Sequence, residues 1–241
     1  NLLYFFICIK TKKKQTIIFK KSIYSIPEIS KQEVKKFNII ACPGCYPTSI
    51  LLPLIPLVQK KMIRLNNIII DSKSGYSGAG RGVHKKYKDQ NLYESISAYG
   101  VGFHRHNSEI EQTLKEYSNK KIEFNFTPHL TPMFRGILST IYVEVNKNVS
   151  QNKIKKVLAN YYKNDIFIKI LKNDTLISTN DVINTNKCLI SVCKTKNKNK
   201  LIILSTIDNL IKGGSGQGIQ NMNLRFGFPL KTGLILSLIH I

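Results

Sequence analysis

The chain has 241 residues, 42% hydrophobic and 21% charged, which is enough apolar material for a sizeable core and excludes a disordered polyampholyte. Its 37 basic and 14 acidic side chains leave a net charge of +23, but the lysines are spread among Asn and Ile with few aromatics between them. That pattern disfavours a nucleic-acid-binding module and suits attraction of small anions, while five irregularly spaced cysteines exclude a disulfide framework and point to free thiols in a reducing, cytoplasmic setting.

Residues 1–23 contain no glycine, so no turn able to cradle a pyrophosphate precedes Gly44. The basic run at 10–14 follows the apolar run at 2–9, the wrong order for a secretory signal, and both that run and 234–241 are too short to cross a bilayer. The chain opens on Asn1 rather than Met, which reads as a fragment or a miscalled start. Periodicity then predicts a helix over 48–61, a strand over 67–71, a helix over 108–117 and strands over 121–126 and 137–145. A helix over 150–162 follows, with Ser150 as its N-cap, then strands at 166–171, 188–193 and 201–207 and a last helix at 216–225. Three strands in succession without an intervening helix read as antiparallel. The expected class is therefore α+β, a mixed or antiparallel sheet with helices on one face.

The stretch Ala41-Cys42-Pro43-Gly44-Cys45-Tyr46-Pro47-Thr48 spaces two thiols like a metal clip or a redox pair. A zinc site lacks two further ligands at clip spacing, and a thioredoxin-like βαβ unit does not follow, so no metal is expected. The remaining alternatives are two small core cysteines at a turn and a single nucleophile. Cys45, after the Pro-Gly turn and before a helix, would feel the positive end of the helix dipole, which would lower its pKa and later hold an oxyanion. The piece Gly102-Phe103-His104-Arg105-His106-Asn107-Ser108-Glu109 offers two imidazoles, which project to one side if it is extended, and a carboxylate able to hold one in a single tautomer. Residues 74–82, Ser-Gly-Tyr-Ser-Gly-Ala-Gly-Arg-Gly, offer bare N–H groups to an anion or a flat ring, or form a flexible loop. The glycine-rich 213–218 fails as a dinucleotide fingerprint, because no acidic residue follows it, and reads as a flexible helix entry.

In order along residues 24–230, the cysteine stretch, 74–81, 104–110, 126–130 with Arg135-Gly136, Asp208–Gly213 and 223–227 resemble the N-acetyl-gamma-glutamyl-phosphate reductases of arginine biosynthesis. The resemblance implies the C-terminal catalytic domain of glyceraldehyde-3-phosphate dehydrogenase-like reductases over 24–241. Residues 1–23 do not match, most of the family's N-terminal NADP-binding domain is missing, and in the family the last helix returns to that domain. It implies that Cys45 attacks the acyl phosphate of N-acetylglutamyl 5-phosphate, leaving a thioester that NADPH reduces to the semialdehyde. It casts His106 as general acid/base, with Glu109 orienting it and His104 as the alternative. It puts Ser74, Gly75, Ser77, Gly78 and Asn209 near the nicotinamide, and makes Arg105, Arg81 and Arg135 candidates for carboxylate and phosphate. A homo-oligomer is implied as well. Pro53 falls where the family has small residues and would be costly beyond a first helical turn. Two other readings stand beside this one, an inactive remnant of the enzyme and a basic nucleic-acid-binding module.

Overall fold

Every residue from Tyr46 to Val58 is buried, so the helix that carries them is the axis of the molecule. In the computed structural model, which describes residues 21–79 and 94–235, that helix runs Cys45–Gln59 and begins at the second cysteine itself. It is apolar all round because it is wrapped all round. Before it come strand β1 (Ser22–Tyr24), the short helix α1 (Pro27–Ser30) and strand β2 (Ile39–Ala41); the central helix is α2. β1 and β2 pair in parallel as a small sheet of their own.

Pro53 and Pro56 both lie inside α2, well past its first turn. Each lacks the N–H that would close the ladder four residues back. For Pro56 the orphaned acceptor is the Leu52 carbonyl, and the phenol of buried Tyr162 donates to that oxygen. The cost expected of an internal proline is thereby offset by a hydroxyl from a remote helix.

Below α2 lies a seven-stranded sheet of order β4-β5-β3-β6-β9-β8-β7. Its strands are β3 (Ile68–Gly75), β4 (Ser97–Ala98), β5 (Phe124–Thr131), β6 (Ile137–Glu144), β7 (Ile168–Ile170), β8 (Cys188–Lys194) and β9 (Lys200–Ile207). Helix α3 (His106–Ser118) links β4 to β5, α4 (Gln151–Tyr161) links β6 to β7, and α5 (Gly216–Phe226) follows β9. The sheet is mixed. β3 runs parallel to β5, and β6 and β9 are antiparallel to their neighbours. The expectation of three antiparallel strands after α4 is half corrected: β8 and β9 are antiparallel, but β7 lies parallel to β8. The seventeen or so residues between them, with a turn of 3-10 helix at Thr179–Asp181, give the chain room to cross back.

Alternate residues decide the faces. Ile68, Ile70, Ser72 and Ser74 of β3 point inward, as do Ile137, Ser139, Ile141 and Val143 of β6 and Leu201, Ile203, Ser205 and Ile207 of β9. They meet α2, whose Ile50, Leu51, Leu54 and Ile55 are wholly buried. Within this core a chain of hydroxyls runs from Ser72 to Ser139 to Ser49 at 2.7 Å per link and ends where Ser49 donates to the Tyr46 carbonyl, so the sheet-to-helix contact carries polar atoms without leaving them unpaired. On the opposite face Ile69 and Tyr142 sit side by side across the β3–β6 ladder, and each is 39% exposed.

Candidate functional site

Gly44 is the N-cap of α2, and Cys45 is its first residue. No side chain caps this end; instead the Gly44 N–H donates to Glu109 Oε1 at 2.9 Å, and the Tyr24 hydroxyl donates to the same oxygen at 2.7 Å. Glu109 was expected to hold an imidazole. It grips the turn before the cysteine, because α3 starts two residues earlier than predicted and turns that carboxylate toward α2. Burial pushes the Glu109 carboxyl up, against the opposing effect of the Tyr24 hydroxyl and the Gly44 N–H.

His106 is buried, and its ring lies over Gly44. A Cβ built there would come within 2.8 Å of Cε1 and 3.0 Å of Cδ2, inside contact distance. Only glycine therefore lets this imidazole reach the residue before the thiol. His104 packs edge-on to His106 with centroids 4.7 Å apart, and its Nδ1 accepts the His106 backbone N–H at 3.2 Å. The two rings meet through a turn, since Arg105 is helical, and not through the extended piece expected from sequence. Tyr46, Tyr99 and Phe126 enclose His104 edge to face. The Tyr99 hydroxyl donates to the Tyr46 oxygen at 2.9 Å, which fixes the walls. Burial holds the imidazoles down, His106 to about 3 and His104 to about 4, helped by the nearby Arg105 charge and, for His106, first by His104. Both rings are neutral at physiological pH. His106 Nδ1 is buried with no hydrogen-bond partner among the described residues.

Cys45 is half-buried, and its thiol is pushed up to about 11. Desolvation is the main cause; the N–H groups of Tyr46 and Cys45 and the Arg105 charge pull the other way and lose, while Glu109 adds a little to the rise. The expected lowering by the helix terminus is thus overturned, because the same packing that aims the sulfur also takes it out of water. Cys42 is exposed, and its sulfur accepts from Asn221 Nδ2 at 3.2 Å. Among the described residues no cluster of three or more His, Cys, Asp or Glu could hold a metal ion. The thiolate fraction therefore grows about tenfold per pH unit below the pKa. Alkylation of Cys45 by iodoacetamide should rise continuously from pH 7 to pH 10, which mass-mapped rates will show; a plateau near pH 7 would refute it.

The turn after β3 and the turn after β9 meet at Asn209. Ser74 and Gly75 are buried at the C-terminus of β3, and Ser77 and Gly78 follow in a 3-10 turn, Tyr76–Ala79. A Cβ at Gly75 would lie 2.6 Å from the backbone of Phe134 and Arg135, and one at Gly78 3.1 Å from Asn209 Nδ2. Asn209 joins the pieces: its Nδ2 donates to Ser77 Oγ at 3.0 Å and its Oδ1 accepts the Gly136 N–H at 2.6 Å. The five residues assigned to a flat ring thus share one glycine-lined ledge. Arg135 is drawn aside; its Nε pairs with buried Asp208 at 2.7 Å and its Nη1 donates to Asn184 at 3.0 Å. It flanks a depression of about 400 Å3 formed with Met133, Phe134 and Thr179. Arg105 is exposed beside the histidines, and Arg81 lies outside the described residues.

Sequence reasoning passed over Tyr24, Tyr46 and Asp208. Asp208 Oδ1 accepts the N–H groups of Leu210 and Ile211, and Oδ2 that of Asn184, which starts the turn after β9. The acid directly ahead of Asn209, inside the stretch 208–213 that carries the resemblance, was the available signal.

Residues 45–209 match the family model of the semialdehyde dehydrogenase dimerisation domain. Among curated proteins, N-acetyl-gamma-glutamyl-phosphate reductase of Halothermothrix orenii is 44% identical over 90% of this chain and 63% of its own length. That of Prochlorococcus marinus (strain MIT 9301) is 47% identical over 94% of this chain and 65% of its own length. Across eight such curated relatives the chain spans between 51% and 65% of their length. Among solved structures, aspartate semialdehyde dehydrogenase II of Vibrio cholerae superposes with a TM-score of 0.68 at 17% identity, over 86% of this chain and 69% of the other. No described helix is long and apolar enough to cross a membrane.

Proposed function

The chain belongs to the semialdehyde dehydrogenase family, whose dimerisation domain it carries, and from that premise we propose that it is the catalytic part of an N-acetyl-gamma-glutamyl-phosphate reductase of arginine biosynthesis. One observation carries the reading: Cys45 opens a buried helix, with the His106 ring over the preceding glycine and Gly213, from the turn that Asn209 begins, against its Cβ.

Cys45 Sγ forms a bond to the acyl-phosphate carbon, and the C–O bond to phosphate breaks. Because the thiol is held up near 11, its proton must leave as the bond forms. A neutral imidazole can take that proton, and His106 is the better placed of the two, since His104 Nδ1 is already committed to backbone. Glu109 acts through Gly44 by keeping that N–H occupied, which leaves the Cys45 and Tyr46 N–H groups to face the sulfur and the developing oxyanion. Arg105, whose charge is felt at the thiol and both rings, is the candidate for the substrate's anionic groups; Arg135 would have to leave Asp208 to serve. NADPH would supply the hydride that reduces the thioester, and Ser74, Gly75, Ser77, Gly78 and Asn209 would hold its nicotinamide. Glycine at 78 lets the Asn209 amide come close, since a Cβ there would crowd it. Four free cysteines among the described residues suit a reducing cytoplasm.

The family's domain name supports a homo-oligomer, and the open sheet face around Ile69 and Tyr142 is the surface we assign to it. Tyr142→Glu should convert a dimer to a monomer in sedimentation equilibrium; an unchanged mass would reject this face.

The test of function is to add N-acetylglutamyl phosphate to the purified chain without cofactor. A burst of phosphate equal to the chain concentration, with the acyl group mapped to Cys45, supports the reading. No phosphate and no adduct would mark an inactive remnant.

A further inference from the structure

Lys212 is wholly buried, and its ammonium is held by Glu28 Oε1 and by Gln220 Oε1 at 2.7 Å. Gln220 Nε2 also donates to Glu28 at 2.8 Å, and Asn186 Nδ2 donates to Gln220 at 2.8 Å. Phe167 lies under the ammonium at 5.9 Å. A buried pair of this kind is weak evidence for stability, since desolvation offsets its attraction. Its place in the chain is more informative. Lys212 belongs to a π-helical turn, Ile211–Ser215, an irregularity that recurs at functional sites. Its neighbour Gly213 lies against the nucleophile: a Cβ there would fall 2.6 Å from Cys45 Cβ. Downstream, Gln217 Nε2 donates to Thr48 Oγ1 at 2.9 Å, and Thr48 Oγ1 donates to the Gly44 carbonyl. Upstream sits Asn209. Residues 208–217 thus form one strip that touches the ledge, the back of Cys45 and the first turn of α2.

We propose that Lys212 is a positioning residue, a pin that draws this strip onto Glu28 of α1 and so sets Gly213 as the wall behind the Cys45 thiol. The wall keeps water from the sulfur and fixes its direction of attack. The charged groups acting on the thiol itself are Arg105 and Glu109, and Lys212 works on it only through the backbone of Gly213. The proposal rests on Cys45 being the nucleophile of the function above.

The experiment compares the full chain with Lys212→Met and with the neutral pair Lys212→Met/Glu28→Gln, which leaves no unpaired buried charge if the single variant fails to fold. Two readouts are taken on folded protein: the pH profile of Cys45 alkylation and phosphate release from N-acetylglutamyl phosphate. With the wall loosened, the thiol pKa falls from about 11 toward its ordinary value of 9. Alkylation at pH 8 then rises about tenfold for each unit of that fall, while phosphate release drops about tenfold or more as the attack geometry blurs. A purely structural role would lower the melting temperature and leave both readouts of the folded protein unchanged, which overturns the proposal. If the unsubstituted chain releases no phosphate, the functional reading fails, and the alkylation profiles still decide whether Lys212 sets the wall.

Discussion

Cys45→Ser is expected to abolish phosphate release from the acyl phosphate, by at least about 10^3-fold. A hydroxyl in the same place holds its proton far more tightly than a thiol, and His106, kept neutral and weakly basic by burial, cannot remove it. The two side chains are nearly isosteric, and Cys45 is only half-buried, so folding should change by less than about 1 kcal/mol. The melting curve controls for that. Cys42→Ser is the matched comparison, for Cys42 is exposed and engaged with Asn221 on the far side of the turn. It should retain release. Loss in Cys42→Ser with retention in Cys45→Ser would assign the chemistry to the wrong sulfur.

The second large effect belongs to Gly44→Ala. Its φ of −67° is ordinary for any residue, so the demand for glycine is not conformational. It is spatial, because the imidazole occupies the room a methyl would need. The His106 ring cannot simply retreat, since Tyr46 and His104 stand edge-on against it. Overpacking of this kind costs about 1–3 kcal/mol, and a shift of the base by about an ångström costs about 100-fold in acyl transfer. Calorimetry and phosphate release measure the two losses separately. Full release with an unshifted melting temperature would show that the ring is not where the chemistry needs it.

Residues 48–61, 108–117, 150–162 and 216–225 announced helices because composition, periodicity and capping are local signals, and each lies within a residue or a few of an observed one. β1 and β2 were not anticipated, since three residues each give no period and their pairing is across the chain. β5 runs on to Thr131 through Pro128, where its long pairing with β3 outweighs the local warning. The thiol and imidazoles were legible as residue types at telling spacings. Their electrostatics were not, because desolvation depends on walls supplied from distant positions: Gly213 behind Cys45, Tyr99 and Phe126 around His104. Lys212 is the clearest case. In sequence it is one lysine in a lysine-rich chain, and what buries it is a glutamate 184 positions away.

The phenol of Tyr162 on the Leu52 oxygen bears on how the nucleophile's helix behaves mechanically. Two prolines leave that rod without a continuous hydrogen-bonded spine, so its cysteine-bearing half is not stiffened by its distal half. A crossbrace from the end of α4 supplies the missing rigidity, and a slackened brace would be felt as wander at the sulfur before any loss of helix content.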